Sequence, residues 1–399
     1  MIQENQLDSD IIVIGAGPAG ISFARGVAPS GLRVTLIEKS PESVLADPPY
    51  DGREIALTHT SRDIMQKLDM WQRVPDDEIY FLREAHVLNG ESDYSLSFPH
   101  PKKVRGREID TLGYLISNHN IRRSAYDSIK HFDNVNFQTG QGVVKVTTDA
   151  QKTIVTLEDG KVLTAKVLIA ADSRFSSTRR QLGISTDMHD FGRTVMVFRT
   201  EHTLPNNETA TECFFYGRTL ALLPLGDYMT NCVVTIDSHR AQEILGLSRE
   251  QLGAEMMRML SNRFGEMKVI SDVHSYPLVG VHARSFVAER SALIGDASVG
   301  MHPVTAHGFN LGLAGADILA TVISEAHACG EDFSSQEVLK RYERKHMPHT
   351  LFLFHGTNAI VKLFTNEQTP ARFLRSAVVR LSNNLPPVKF LISRQLTGF

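Results

Sequence analysis

The sequence has little of what marks a secreted, metal-binding or nucleic-acid-binding protein. Its three cysteines, Cys213, Cys232 and Cys329, are widely spaced and form no metal-type pair. We therefore expect free thiols in a reducing compartment and no bound metal. A net charge of −3 gives no bulk attraction for nucleic acid. The first ten residues contain acids but no apolar core, so no signal peptide is predicted and a cytoplasmic location is expected.

Long hydrophobic runs, repeats and low-complexity tracts are also lacking. The most apolar long stretch, residues 308–326, contains Asp317 and several glycines, which favours a buried helix over a membrane span. The hydrophobic content of 42% and the length of 399 residues are typical of a globular chain larger than one ordinary domain. We expect two sub-domains that share a large core.

A glycine-rich stretch near the start carries the strongest signal that is present. The apolar residues 11–14 predict a buried strand, and Gly15, Gly17 and Gly20 follow with Pro18 at the start of a helix. In this motif the first glycine allows the tight turn, the second lets a pyrophosphate approach, and the third lets helix and strand pack closely. A second apolar run ends in Glu38, where a carboxylate would accept hydrogen bonds from a ribose. This region is predicted to bind an adenine dinucleotide.

Charged residues further along the chain are weaker candidates. The guanidinium of Arg53 would fork onto a phosphate or ribose oxygen, or would pair with a neighbouring acid at the surface. Arg122 and Arg123 fall in the first turns of a helix predicted over 120–131, where an anionic partner would offset their repulsion by the helix dipole. Asp172 and Asp296 each end an apolar strand-like run, at the place where a strand would meet the cofactor.

Residues 192–277 have a different sequence pattern from the first part of the chain. Strand-like runs separated by turns, with one helix over 249–263, predict an antiparallel sheet with a helix, inserted into the first domain. Its face toward the cofactor would supply the substrate cavity, although any single apolar residue is equally explained as plain core. The candidate cavity walls are Phe214, Phe215, Leu222, Leu223 and Pro224.

Three sequence motifs, in the order in which they occur along the chain, resemble those of the class A flavoprotein monooxygenases, which have the para-hydroxybenzoate hydroxylase fold. They are the glycine motif with Glu38, the pair Ala171-Asp172, and Gly295-Asp296 followed by residues 302–310. Within that family, the stretches 53–58, 220–225 and 293–297 are most similar to the ubiquinone-biosynthesis hydroxylases. The variant stretch 302–310 is similar to their UbiM branch, and the likeness covers roughly residues 8–345.

The resemblance implies an α/β fold with a Rossmann-like FAD-binding domain, an inserted antiparallel β-sheet substrate domain and a C-terminal helical tail. The implied bounds are 1–75, 106–185 and 278–345 for the FAD-binding domain, 76–105 and 186–277 for the substrate domain, and 346–399 for the tail. The implied FAD-binding residues are Gly15, Gly17, Pro18, Ala19, Gly20, Glu38, Lys39, Arg53, Arg122, Asp172, Asp296, Pro303, Gly308, Phe309 and Asn310. The implied substrate-pocket residues are Phe215, Leu223, Pro224, Pro303 and Val304.

Two departures from the family pattern concern this site. Asp172-Ser173 stands where relatives often have Asp-Gly, and this leaves the role of that segment with a nicotinamide cofactor open. Ala306-His307-Gly308 stands where many relatives have Gly-Gln-Gly, so a pocket contact is expected to differ.

The resemblance also implies a reaction, with several alternatives. Reduced FAD would react with O2 to give a C4a-hydroperoxide that hydroxylates an electron-rich ring, and the flavin rather than a protein side chain would carry the chemistry. The expected substrate is a polyprenylated quinol or phenol precursor of ubiquinone, with C5 hydroxylation of the demethoxy quinol as the first hypothesis. The alternatives are a soluble phenolic-acid hydroxylase that uses NAD(P)H directly, an FAD-linked isoprenoid reductase, and a flavin-binding scaffold without catalysis.

The composition of the C-terminal stretch indicates where the enzyme would encounter such a substrate. Between residues 371 and 399 there are five basic residues and no acid, with apolar residues at helical spacing. A basic amphipathic segment would rest on an anionic membrane or dock to another biosynthetic enzyme. A terminal helix packed on its own FAD-binding domain explains the same pattern.

Overall fold

The computed structural model describes residues 7–89, 95–100, 103–104, 107–215, 217–301, 307–365 and 397–398. The α-helices in these ranges are α1 (Pro18–Val27), α2 (Glu42–Ala46), α3 (His59–Lys67), α4 (Asn118–Ile129), α5 (Ser177–Gln181), α6 (Gln242–Leu245), α7 (Arg249–Met259), α8 (His307–Ala328) and α9 (Gln336–Thr365). The strands of the first half are β1 (Ile11–Ile14), β2 (Val34–Glu38), β3 (Glu54–Leu57), β4 (Tyr80–Leu82), β5 (Glu84–Asn89), β6 (Ser95–Pro99), β7 (Lys103–Val104), β8 (Arg107–Glu108), β9 (Gly113–Ser117), β10 (Val135–Thr139), β11 (Val143–Thr148), β12 (Thr153–Leu157), β13 (Val162–Ala165) and β14 (Val167–Ala170). Those of the second half are β15 (Thr186–His202), β16 (Thr209–Phe215), β17 (Arg218–Pro224), β18 (Met229–Asp237), β19 (Met267–Val269), β20 (His274–Ala283), β21 (Val287–Ala288), β22 (Ser291–Leu293) and β23 (Val299–Gly300).

A six-stranded sheet in the order β10-β2-β1-β14-β22-β21 forms the centre of the first domain. Strands β1 and β14 are buried at every position because both faces of the sheet are covered. Ile11 and Val13 pack in the cluster with α1, α4 and α8. Ile12 and Ile14 pack on the opposite side against the three-stranded ribbon β11-β12-β13. Strands β12 and β13 of this ribbon form a hairpin that turns at Asp159-Gly160.

The second sheet has the path β23-β20-β15-β18-β17-β16-β5-β6, with β19 beside β15. Neighbouring strands of this sheet are antiparallel, as predicted, except that β16 and β5 run parallel. Strand β15 has 17 residues, and its first half pairs with β20. Alternation along each strand sends one set of side chains, including Phe198, Cys213, Leu222 and Val234, into a core with α6 and α7. The opposite face turns toward the first domain, which it contacts through Arg199 and Asn231.

Helices α8 and α9 complete the described chain. α8 confirms the predicted buried helix: it is long and apolar enough to cross a membrane, but 61% of its apolar window is buried inside the protein, as in a soluble core helix. α9 runs without interruption from residue 336 to 365, so the boundary predicted between 345 and 346 falls inside a helix. The boundary predicted between 277 and 278 likewise falls inside β20. Residues 366–396, which hold most of the basic C-terminal stretch, lie outside the described residues.

Candidate functional site

The glycine motif forms a tight connection between β1 and α1. Gly15 has a φ of +104°, and a Cβ added there would lie 2.5 Å from the carbonyl oxygen of Ala171. A Cβ at Gly20 would lie 2.0 Å from the carbonyl oxygen of Gly15, so only glycine lets α1 approach the turn. Gly17 differs, since a Cβ there would meet no atom within 4 Å. The first and third glycines thus serve packing, while the second borders open space.

The N-terminus of α1 lies at that open space. Pro18 is in the first turn, and Gly17 as N-cap supplies no side chain to the free N–H groups. These groups and the helix dipole favour an anion such as a pyrophosphate.

Glu38 stands at the end of β2, beside the glycine turn. Its Oε2 accepts the N–H of Ala16 at 3.0 Å and its Oε1 accepts the N–H of Ser40 at 3.0 Å. Because a carboxylate offers about four lone-pair sites, each oxygen keeps capacity for a ribose hydroxyl. The adjacent Lys39 is exposed and points to no described partner.

The return segment meets this turn through close glycine contacts. Gly295 has a φ of +57°, and its Cβ would come within 2.8 Å of the Cβ of Ala19. A Cβ at Gly312 in α8 would lie 3.3 Å from the Cα of Gly295. Asp296 follows, with its Oδ2 3.2 Å from the Arg174 guanidinium. Segments almost three hundred residues apart in sequence are thus in contact, which brings Asp296 to the same groove. Pro303 and Val304 lie outside the described residues.

The first turn of α8 is anchored by Asn310. Its side chain accepts the N–H of Thr58 at 3.1 Å and the hydroxyl of Ser61 at 2.6 Å, and donates to the carbonyl of Ala56 at 2.8 Å. This amide therefore holds α8 against β3 and α3. Phe309 packs on the core of the first domain, while Gly308 borders open space.

The two candidate arginines differ in their partners. Arg53 forks onto Asp51, with Nη2 2.5 Å from Oδ2, and it also lies over the ring of Tyr276. Burial lowers the pKa of Arg53, but the bonds to Asp51 outweigh this and raise it overall. Arg122, half-buried in α4, makes no hydrogen bond or ion pair with any residue that the structure describes. Burial lowers its pKa, opposed by the charges of Asp51 and Glu38. Arg122 is thus the better placed of the two to bind a ligand anion.

Asp172 is occupied by its own loop. Its Oδ1 accepts the hydroxyl of Ser176 at 2.6 Å, and Ser176 in turn caps α5. Sequence reasoning missed the buried Arg179 nearby, which donates to the carbonyls of Ala297 at 2.7 Å and Arg174 at 2.9 Å. This guanidinium ties the loop after β14 to the Asp296 turn. The only signal in the sequence was the basic character of residues 174–180.

The second sheet is joined to the first domain by polar contacts at residues 51–54. Arg199 of β15 donates to the buried Glu54 at 2.6 Å, and Asn231 of β18 donates to the carbonyl of Gly52 at 2.9 Å. Tyr276 donates to the carbonyl of Asp51 at 2.6 Å. These contacts identify which face of the sheet looks toward the dinucleotide groove.

The predicted pocket walls divide between the two faces of this sheet. Leu223 pairs with Asn231 and therefore shares the face toward the first domain. Phe215 packs against the core under α6 and α7, and Pro224 alternates with Leu223, so both belong to the far face. Sequence reasoning chose them for their apolar character, but a one-residue offset in a strand reverses the face.

The groove fits an adenine dinucleotide. Its phosphates would be held at the open space by Gly17, at the uncapped start of α1 and by Arg122, which has no partner among the described residues. Its ribose would be held by the spare acceptor capacity of Glu38. Bound FAD supplies activation of O2 and transfer of one oxygen atom to an organic substrate. The first turns of α1 and α8 border the groove and would orient the cofactor there.

Comparison with known proteins agrees with this geometry. Residues 8–351 match the family described as FAD binding domain. The chain is 58% identical to ubiquinone hydroxylase UbiM of Neisseria meningitidis over 98% of this chain and 85% of that protein. It is 25% identical to 3-demethoxyubiquinol 3-hydroxylase of Escherichia coli, over 92% and 93% of the two chains.

Solved structures share the fold. The p-nitrophenol 4-monooxygenase PnpA from Pseudomonas putida superposes with a TM-score of 0.77 at 16% identity, covering 98% of both chains. PqsL from Pseudomonas aeruginosa gives a TM-score of 0.74 at 20% identity, covering 93% of this chain and 99% of PqsL. The chain therefore belongs to the FAD-binding family of class A flavoprotein monooxygenases, in the group of the ubiquinone hydroxylases, and is an FAD-dependent aromatic-ring hydroxylase.

Proposed function

We propose that this enzyme hydroxylates the aromatic ring of a polyprenylated precursor of ubiquinone. The observation that carries the proposal is the 58% identity with UbiM over nearly the whole chain. The first hypothesis for the position is C5 of the demethoxy quinol, with broader regioselectivity allowed.

The character of the sheet face supports an apolar substrate. Beside Leu223, the face toward the first domain presents Val87, Ala221 and Val233. Arg199, on the same face, is already paired with Glu54. A phenolic-acid hydroxylase needs a free arginine for the substrate carboxylate, and Arg199 does not offer one. An isoprenyl chain requires only apolar contact, so this face favours a prenylated ring over a phenolic acid.

We further propose that the enzyme works at the surface of an anionic membrane. An apolar patch on the outer side of α9 is formed by Pro348, Leu351, Phe352, His355 and Gly356. Phe352 is 75% exposed, which is unusual for a large apolar side chain on a soluble surface. Basic residues on the same helix, such as Arg344 and Lys345, would add attraction to acidic lipid head groups.

Co-sedimentation with phosphatidylglycerol vesicles tests the membrane contact. Phe352→Ser should lower the bound fraction severalfold, whereas Phe81→Ser, at another exposed phenylalanine, should leave it unchanged. Equal binding by both variants and the wild-type protein would contradict the proposal.

Deletion of the gene in its host, followed by mass spectrometry of the quinone pool, tests the reaction itself. The proposal expects a prenylated intermediate that lacks one ring oxygen, and the fragmentation of its ring reports the carbon. Expression of the wild-type gene should restore the product. An unchanged quinone pool in a strain without another hydroxylase of this family would overturn the proposal, and product formation dependent on a small phenolic acid would favour the soluble alternative.

A further inference from the structure

Glu212 lies on the sheet face that turns toward the first domain. In β16 it pairs with Ala221 of β17 on one side and with Val87 of β5 on the other. The same cross-strand row continues through Val233 to Val197. Side chains in one such row point to the same face of a sheet. Glu212 is therefore an acidic residue at an inward position of the substrate sheet.

The position of this row relative to the first domain follows from the contacts of Val197 and from its distance to Glu212. The side chain of Val197 lies 2.9 Å from where a Cβ of Gly52 would be, so this end of the row contacts the first domain. Three strand spacings separate Val197 from Glu212, or about 14 Å along the sheet. Leu363 of α9 packs on the cluster at the far end of the row. Glu212 thus stands between the domain junction and the end of α9.

The surroundings of Glu212 are apolar. The neighbouring cluster on this face consists of Leu96, Phe98 and Phe214, with Ala85, Val87 and Leu363 packed against it. Glu212 makes no hydrogen bond or ion pair with any residue that the structure describes. Burial raises the pKa of its carboxyl to about 8. Glu212 is only partly exposed to solvent. A carboxylate in such an apolar place is costly unless it has a partner, so an acid that only stabilises the fold would have one.

Glu54 shows how the same protein treats a buried acid with a structural role. Its carboxylate also faces the junction between the domains, but its Oε1 accepts two bonds from Arg199 and one from Tyr50, while its Oε2 is buried without a described partner. These donors stabilise the charged form of Glu54, which burial disfavours. Among the residues that the structure describes, Glu212 meets no such group, and this contrast points to a ligand as its partner.

We propose that Glu212 hydrogen-bonds the ring hydroxyl of the substrate and accepts its proton during ring hydroxylation. This inference rests on the proposed function. In the step, the O–H bond of the ring hydroxyl breaks, its electron pair stays on the ring oxygen, and a new O–H bond forms on the Glu212 carboxylate. The ring becomes more electron-rich and reacts more readily with an electrophilic oxygen. No redox change occurs at Glu212, and the proton returns to solvent or product afterwards.

The acidities of the two groups suit this transfer. A phenolic hydroxyl has a pKa near 10, and an ordinary glutamate, near 4.3, is a weak base toward it. A general base works best with a pKa near the working pH, and the raised pKa of Glu212 brings it there. A carboxylate substrate would be repelled at this position, which agrees with a quinol or phenol whose ring substituents are uncharged.

Single-turnover hydroxylation by the holoenzyme tests the role of Glu212. The probe is a phenol with one isoprenyl substituent, mixed with photoreduced enzyme and O2, and product per flavin is measured by mass spectrometry. Glu212→Gln should lower the single-turnover rate constant about a hundredfold. It should leave the probe concentration at half-maximal rate within about threefold, because the amide still forms a hydrogen bond. The wild-type rate should rise with pH up to about 8, and this rise should be absent in the variant.

Two further variants separate proton transfer from structure. Glu212→Asp keeps a titrating group and should retain the pH dependence at a reduced rate. Glu201→Gln, at an exposed acid of β15, should behave as the wild-type enzyme. Glu212→Gln should also shift the urea midpoint upward at pH 9, because the wild-type fold must then ionise a buried carboxyl. A structural carboxylate would instead make this variant less stable.

The outcomes distinguish the inference from the proposed function. If the wild-type enzyme hydroxylates the probe and Glu212→Gln matches it in rate and pH profile, the role of Glu212 is refuted and the proposed function stands. A downward shift of the urea midpoint in Glu212→Gln likewise refutes it in favour of a structural role. If the wild-type holoenzyme hydroxylates neither the prenylated phenol nor a prenylated quinol, both proposals fail.

Discussion

The dinucleotide groove and the inner face of the substrate sheet are built in opposite ways. In the groove, short-range features dominate, such as a positive φ at Gly15 and the backbone contact at Gly20, which lie in one continuous segment. On the sheet face, the important groups are single side chains from separate strands, such as Arg199, Glu212 and Asn231. The first region uses backbone atoms that all residues have, and the second uses side-chain identity and direction. Substitutions should therefore have different consequences in the two regions.

The largest effect is expected at Gly20. A Cβ there would lie 2.0 Å from the backbone oxygen of Gly15, which cannot move away without disrupting the turn. Gly20→Ala should destabilise the protein by at least about 3 kcal/mol and abolish FAD binding. Gly17→Ala is the matched comparison, because its Cβ meets nothing and its φ of −73° suits alanine. It should keep the fold but weaken FAD binding about a hundredfold, as shown by urea unfolding and flavin fluorescence. A folded, FAD-binding Gly20→Ala protein would contradict the packing role of this glycine.

A third region, the contact between α8 and α9, should make the fold sensitive to acid. Burial lowers the pKa of His307 and of His346 to about 4, so the folded state disfavours their charged forms. Their contribution to stability is complete above the unfolded value of about 6.5 and is lost as the pH falls toward 4. At pH 5 the loss should be about 2 kcal/mol for each histidine. His346→Phe should reduce the decrease in urea stability between pH 7 and pH 5 by about 2 kcal/mol. His239→Gln, at an exposed site, should not change this decrease.

On the sheet face, the buried pair of Glu54 and Arg199 should carry a large stability effect. Burial raises the pKa of Glu54 despite the attraction of Arg199, so the pair is held in a poorly solvated place. Glu54→Gln leaves the arginine without its counter-charge and should cost about 3 kcal/mol. The double variant Glu54→Leu/Arg199→Met should recover much of this loss. Glu243→Gln, in a surface pair with Arg240, should give no measurable change in urea unfolding.

A smaller and purely local effect is expected at Arg122. This guanidinium is half-buried near Glu38 and Asp51 and has no described partner, so it is available to a cofactor phosphate or ribityl oxygen. Arg122→Met should weaken FAD binding about tenfold, which corresponds to 1.4 kcal/mol, without lowering the unfolding midpoint. Arg123→Met, one residue along and exposed, is the control and should bind FAD normally. Identical affinities in the two variants would show that Arg122 does not reach the cofactor.

The sequence by itself determined the dinucleotide-binding unit, because its signals are local. Continuous apolar runs, glycine spacing and a strand-ending acid act within about thirty residues and therefore predict β1, α1, β2 and the place of Glu38. The same is true of the buried helix α8. Resemblance to a family added the cofactor and the return of the chain to Asp296.

Only the tertiary structure decided which side chains face the substrate region. Phe215 and Leu223 are both apolar strand residues, and only the strand register sends them to opposite faces. Composition likewise gave no reason to separate Glu54 from Glu212, yet one meets Arg199 and the other meets apolar side chains. Partners of this kind come from segments more than a hundred residues apart, so their identity depends on how the domains pack and not on local spacing.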